Sequence, residues 1–152
     1  MKIVEGNLLD VKKGIICHQV NTYGVMGAGI AFAIGQKFPS INADYEKYCK
    51  KHNFLEERLL GTVLFATSYQ MGDLTVANVF SQLPLGATTD LELIKKAFRN
   101  IFSYAEVNQL DVYIPYRYGS GIANGIWDDI VTTFLQLEKE LQKEIIVVKL
   151  PN

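Results

Sequence analysis

The run Gly14-Ile15-Ile16-Cys17-His18-Gln19-Val20 is apolar at nearly every position. A strand with one wet face alternates polar and apolar residues, whereas a strand covered on both faces does not. This run therefore predicts a strand inside a sheet with helices on both sides. Val20-Asn21-Thr22-Tyr23-Gly24-Val25-Met26-Gly27-Ala28-Gly29-Ile30-Ala31 follows, with three glycines in six residues, and Ile30 to Phe38 reads as a helix. A glycine-rich loop between strand and helix lets backbone come close to something. It either holds an anion on bare N–H groups at the positive end of the helix, or makes a tight turn with no ligand.

The rest of the chain repeats the alternation. Lys2 to Glu5 reads as a short strand, broken at Gly6-Asn7-Leu8-Leu9-Asp10, and Lys12-Lys13-Gly14 as a turn. Pro39-Ser40 ends the first helix, and Ser40 is placed to cap a second from Ile41 to about His52. Thr62 to Thr67 and Thr75 to Phe80, joined through Met71-Gly72-Asp73, read as a hairpin. Asp90 reads as an N-cap, and apolar residues at Leu91, Ile94, Ala97, Phe98, Ile101, Phe102 and Ala105 give an amphipathic helix to Asn108. Asp111 to Pro115 reads as a strand, Trp127 to about Lys143 as a helix opened by Asp128 and Asp129, and Glu144 to Leu150 as the last strand, with Val147 and Val148 central. Six strands alternating with helices predict a three-layer α/β/α sandwich on a mixed, mostly parallel six-stranded sheet.

Its 152 residues are expected to form one domain, 1–152, large enough to need no disulfide or metal staple. The net charge of −1 argues against sequence-blind nucleic-acid binding, which favours basic chains. Cys17 and Cys49 read as two separate buried thiols, and no apolar run reaches the length of a membrane span. The expected location is the cytoplasm. His18 and His52 lack a partnered spacing, and two lone cysteines make no zinc site, so neither metal nor cofactor is implied.

Tyr116 to Ile126 forms a second glycine loop, containing Gly119-Ser120-Gly121-Ile122-Ala123, again between a strand and a helix. In open α/β sheets ligands sit at the carboxyl ends of strands, where two such loops could hold a pyrophosphate from both sides. Neither loop has the spacing of a dinucleotide fingerprint or of a Gly-Lys-Ser/Thr phosphate loop. Ser120 lacks the flanking pattern of a nucleophile elbow.

Taken together, Gly6-Asn7-Leu8, Asn21 with Gly24-Val25-Met26-Gly27-Ala28-Gly29-Ile30-Ala31, and Gly119-Ser120-Gly121-Ile122-Ala123 resemble a macrodomain. Phe38-Pro39, Tyr45 and Asn78-Val79-Phe80-Ser81-Gln82 match family positions as well, so the likeness runs over nearly the whole chain. The branch it resembles holds the terminal ADP-ribose protein glycohydrolases, the antitoxin macrodomains that strip ADP-ribose from thymidine in DNA, and the yeast-type ADP-ribose 1''-phosphate phosphatases. The resemblance implies an ADP-ribose pocket, with ADP-ribose or an ADP-ribosylated substrate as the partner. Asn7 stands where the family usually has an Asp that accepts from the adenine amino group, and its amide oxygen can accept the same bond. On its own residues, Asn7 equally closes an Asx-turn. Asn21 stands at the distal ribose, or else caps the first loop. Gly27, Ala28 and Gly29 would offer N–H groups to the diphosphate, with Gly119, Ser120, Gly121 and Ile122 closing from the other side. Leu8, Val25, Met26, Ile30, Gln82 and Ala123 complete the implied ligand set. Val148 falls where relatives often carry an aromatic that stacks on adenine.

The glycohydrolase-type relatives use a lysine after the fourth strand and an aspartate in the second glycine loop. Here those positions hold Gln82 and Ala123. A glutamine amide forms no Schiff base and an alanine moves no proton. The expected function is hydrolysis of a group linked at the 1'' position of ADP-ribose, by a route other than the lysine one; the alternative is a reader that binds without turnover. Asn21 is the candidate for orienting the attacking water. His18, in a His-x-x-Asn that the phosphatase-like relative shares, is either a satisfied core residue or an acid–base group.

Overall fold

The computed structural model describes residues 1–83, 89–120 and 125–152. Strands β1 (Lys2–Glu5), β2 (Gly14–Val20), β3 (Val63–Ala66), β4 (Leu74–Phe80), β5 (Val112–Pro115) and β6 (Ile145–Lys149) form one sheet in the order β1-β6-β5-β2-β4-β3. All pairings are parallel except β3 against β4. Helices α1 (Gly29–Lys37), α2 (Pro39–Lys51) and the one-turn α3 (Glu56–Leu59) cover one face; α4 (Leu91–Asn108) and α5 (Trp127–Leu141) cover the other. This is the three-layer mixed sheet that the alternation predicts.

Burial explains why β2 and β4 carry no polar stripe. Successive side chains point to opposite faces of a sheet. Ile15 and Cys17 enter the core beneath α4 and α5, while Ile16 and Val20 enter the one beneath α1 and α2. Every residue of β4 is buried. β2 pairs with β4 along its whole length, from Gly14↔Leu74 to Val20↔Phe80. On its other side it meets β5 through Ile15↔Val112 and Ile16↔Tyr113. The two strands that carry the glycine loops are therefore ladder neighbours.

Some boundaries differ from expectation. The second helix begins at Pro39, not after a Ser40 cap: proline has no N–H to satisfy at the first helical position, and Phe38 precedes it without a side-chain cap. The last helix stops at Leu141, where Gln142 turns left-handed. The β3–β4 connection carries a 3-10 turn at Tyr69–Met71 before Gly72. Cys17 and Cys49 are free and buried. Burial raises both thiols, Cys49 to about 11, so neither is a thiolate near neutral pH. Among the described residues no helix is long and apolar enough to cross a membrane.

Candidate functional site

A cavity of about 660 Å³ opens over the carboxyl ends of β4, β2 and β5. Its size lies in the range of small-molecule sites, roughly 300–1,000 Å³. The first loop and the start of α1 form one wall, through Asn21, Tyr23, Val25, Gly27, Ala28, Gly29, Ile30 and Ala31. Pro115, Tyr116, Arg117, Tyr118 and Gly119 form the opposite wall. Gln19 and Val20, from the end of β2, and Gln82, beyond β4, complete the lining.

The α1 wall presents backbone donors at a helix N-terminus. Ala28 is the N-cap of α1 and makes no side-chain capping bond. The first N–H groups of a helix have no intrahelical partner, and they carry the positive end of its dipole. A Ser or Asp at Ala28 would consume one of these donors; Ala28 leaves them to whatever enters the cavity. Gly29 takes φ +62 with open space beside its α-carbon, so backbone is presented there with no side chain in front of it.

Asn21 folds this wall. Its Oδ1 accepts from the Tyr23 N–H at 2.9 Å, and its Nδ2 donates to the Val25 carbonyl at 3.2 Å. The Tyr45 hydroxyl, rising from the buried face of α2, lies 2.7 Å from both the Asn21 carbonyl oxygen and its Oδ1. Asn21 thus lines the cavity while its amide holds the loop.

The opposite wall hangs on a polar cluster. Ser81 Oγ donates to Gln19 Oε1 at 2.7 Å and lies 2.9 Å from the Tyr118 hydroxyl. Gln19 Nε2 donates to Thr89 Oγ1 at 3.1 Å, and Thr89 Oγ1 donates to the Gly119 carbonyl. Burial pushes the Tyr118 phenol well above its ordinary value, so it stays protonated as a donor in this cluster. Gly119 sits at φ +73, where an added Cβ would lie 3.1 Å from Thr89 and 3.3 Å from Gln19 Oε1.

Of the expected site residues, Asn21, Val25, Gly27, Ala28, Gly29, Ile30, Gln82 and Gly119 come together on the cavity. Gly121, Ile122 and Ala123 lie outside the described residues. Met26 is buried under the first loop, and Ser120 Oγ turns back to the Arg117 carbonyl at 2.7 Å. Asn7 and Leu8 do not line the cavity: Asn7 Oδ1 accepts from the Leu9 N–H at 2.9 Å as the cap of a 3-10 turn, and Leu8 is buried.

His18 is also off the cavity and has no exposed surface. Its Nε2 lies 2.6 Å from Asn78 Oδ1. Asn78 Nδ2 donates to the Leu64 carbonyl, which can only accept, so the amide oxygen faces the histidine and Nε2 carries the proton. Nδ1 is left buried without a partner. Burial outweighs the Asn78 bond and lowers His18 to about 4, so the ring is neutral at physiological pH. Of the two roles open to His18 in the sequence, this geometry is that of a core residue.

Asp90 caps α4 through the Glu92 and Leu93 N–H groups, and Asp128 and Asp129 occupy the first turn of α5. None of the three lines the cavity. Conversely Gln19, Val20, Ala31, Pro115, Tyr116, Arg117 and Tyr118 line it without having been in the expected set. Ala31 aside, which lies in the first turn of α1, their position right after or within strands whose carboxyl ends face the loops was the available signal.

The macro domain family model matches residues 17–134. This chain belongs to the Macro domain family. An ADP-ribose 1''-phosphate phosphatase of Candida albicans is 30% identical to it over 126 residues, 78% of this chain and 78% of that protein. The macrodomain of Mycobacterium tuberculosis DarG superposes with a TM-score of 0.81 at 22% identity, covering 99% of this chain and 97% of that one. Thermosipho africanus DarTG, solved in complex with ADP-ribose, superposes with a TM-score of 0.77 at 18% identity, covering 99% of this chain and 42% of that one. At these identities the two structural likenesses speak to the fold.

Proposed function

We propose that this macrodomain binds ADP-ribose between its two glycine loops and hydrolyses a group linked at the 1'' position, either a phosphate or an ADP-ribosyl ester. One observation carries it: the uncapped start of α1 faces the Pro115–Gly119 wall across the ends of β2 and β5, in a chain similar over 78% of its length to an ADP-ribose 1''-phosphate phosphatase. For the 1''-phosphate, water gives its hydroxyl to phosphorus and a proton to the sugar oxygen, leaving ADP-ribose and inorganic phosphate. Gln82 stands at the β4 end of the cavity, and its amide can hold a hydroxyl or a water but cannot form an adduct with C1''. Asn21 is the polar side chain of the first-loop wall, and its carbonyl and amide oxygens are fixed by Tyr45.

Binding without turnover is the second reading. It is favoured by the lining itself, which holds no Asp, Glu, His or Lys among the described residues and so offers no carboxylate, imidazole or amine to carry a proton. Incubation with ADP-ribose 1''-phosphate, ADP-ribosylated protein and ADP-ribosylated DNA, alongside calorimetry with ADP-ribose, decides between them. Release of phosphate or ADP-ribose supports the hydrolase. Binding with no product from any substrate leaves the reader, and no heat at millimolar ADP-ribose overturns both. The free, buried thiols support a reducing compartment such as the cytoplasm as the place of action.

A further inference from the structure

We infer that Arg117 is a specificity-determining residue, pairing its guanidinium with the diphosphate of the bound nucleotide from the β5 side; this rests on the ADP-ribose reading above. Arg117 carries the one formal charge among the described residues that line the cavity. Among the described residues it has no carboxylate partner. The ion pairs among the described residues join the Met1 amine to Glu138, Lys95 to Glu92 and Arg99 to Glu140. A guanidinium on the lining of a small-molecule-sized cavity, free of carboxylates among the described residues, is a ready fork for phosphate oxygens, which it meets in bidentate fashion.

The backbone points the same way. Among the described residues, five other than glycine take a positive φ: Asn53, Phe54, Gln109, Arg117 and Gln142. Asn53 and Phe54 follow α2, while Gln109 and Gln142 end α4 and α5, where a left-handed residue is the ordinary way to stop a helix. Arg117 ends no helix. It follows β5 at φ 63, in a turn closed by Tyr118 N–H to the Pro115 carbonyl at 3.0 Å and Ser120 N–H to the Arg117 carbonyl at 2.9 Å. Glycine would occupy this position without strain, and an arginine held there marks a site where the side chain is needed. Its guanidinium carbon stands 5.7 Å from the centroid of the Tyr116 ring, which itself lines the cavity. Lys149 flanks the same ring with Nζ at 4.7 Å from its centroid but does not line the cavity. The uncapped start of α1 offers partial positive charge on one wall; Arg117 sets a full charge on the other. A nucleotide diphosphate placed between them meets both, and a neutral nucleoside meets neither.

Calorimetric titration of wild type, Arg117→Gly, Arg117→Asn and Arg117→Lys with ADP-ribose, ADP, inorganic pyrophosphate and adenosine, at two salt concentrations, tests this. Glycine and asparagine both accept the left-handed backbone, so these variants melt at or above the wild-type temperature. Each loses roughly tenfold or more in affinity for ADP-ribose and ADP while adenosine binding stays unchanged, and the salt dependence of ADP-ribose binding falls. Lysine recovers part of the loss. Wild-type affinity for ADP-ribose in folded Arg117→Gly or Arg117→Asn overturns the assignment, as does an equal loss for adenosine and ADP-ribose. A wild type that binds ADP and pyrophosphate but not ADP-ribose sinks the ADP-ribose reading alone; one that binds none of the phosphate probes sinks both.

Discussion

The two walls of the cavity are held in different ways. The first loop is folded by its own Asn21 and pinned from beneath by one hydroxyl, that of Tyr45, whose ring is buried between α2 and β4 and packs 5.9 Å from Phe80. The second is suspended from Gln19, Ser81, Thr89 and Tyr118, side chains that come from four separate stretches of chain. One anchor is an apolar plug with a polar tip, set when α2 packs. The other is a relay in which each bond depends on its neighbour. The first wall thus depends on a single hydroxyl, and the second on a coupled set of bonds.

Four experiments break or sharpen that contrast. The largest effect lies beneath the first wall. His18 titrates near 6.5 when unfolded and about 4 when folded, because burial disfavours its charged form. The unfolded chain therefore binds the extra proton first. Stability is complete above pH 6.5 and drains away as pH falls towards 4, by roughly 3 kcal/mol in all. Urea midpoints across that window should fall steeply in wild type and more shallowly in His18→Gln; equal slopes would place the titration elsewhere.

Next, the same substitution is made in both loops. Gly119→Ala combines a left-handed backbone with crowding against Thr89 and Gln19, and should cost about 2 kcal/mol together with most ADP-ribose binding. Gly29→Ala meets open space and carries only the backbone cost, about 1 kcal/mol. If Gly29→Ala proves the more damaging to the fold, crowding at Gly119 is not what separates the two walls.

Tyr45→Phe removes the hydroxyl and keeps the ring, for about 1 kcal/mol. Amide exchange should then quicken at Tyr23 and Val25 and stay unchanged at Gly119 and Ser120. Ser81→Ala is the mirror experiment and the smallest in stability, at most about 1 kcal/mol. Exchange should quicken at Gly119 and not at Tyr23. A response of both loops to either variant would mean that the walls are coupled through β2.

Much of the fold was legible because the elements announce themselves locally. Helix α4 runs from Leu91 to Asn108 as its apolar spacing and Asp90 require. β5 and β6 lie within a residue of the runs that predict them, since β-rich segments with turn residues at both ends leave little freedom. α3 was missed: a single turn at Glu56–Leu59 has no periodicity to detect. The cavity was legible where the backbone itself lines it, because Gly27, Gly29 and Gly119 mark open backbone in the two loops. It was not legible where side chains from distant strands converge. Gln19 and His18 are sequence neighbours on a doubly buried strand, and nothing local tells which one reaches the cavity. Gln19 does so by facing Ser81 and Thr89, 62 and 70 residues away, while His18 turns to Asn78 on the opposite face. The link from Tyr45 to Asn21 likewise joins a helix to a loop 24 residues upstream.

Because β2 and β5 are ladder partners, Ile15↔Val112 and Ile16↔Tyr113 act as the hinge pin of a caliper whose tips are the two glycine loops. The gap between the tips is written at the far end of the strands, in the sheet. A one-residue slip of β5 would carry the Arg117 tip about 3.3 Å along its strand and turn each β5 side chain to the other face. The span that fits a ligand is thus a property inherited from strand register, and evolution can vary the loops freely only while that calibration is kept.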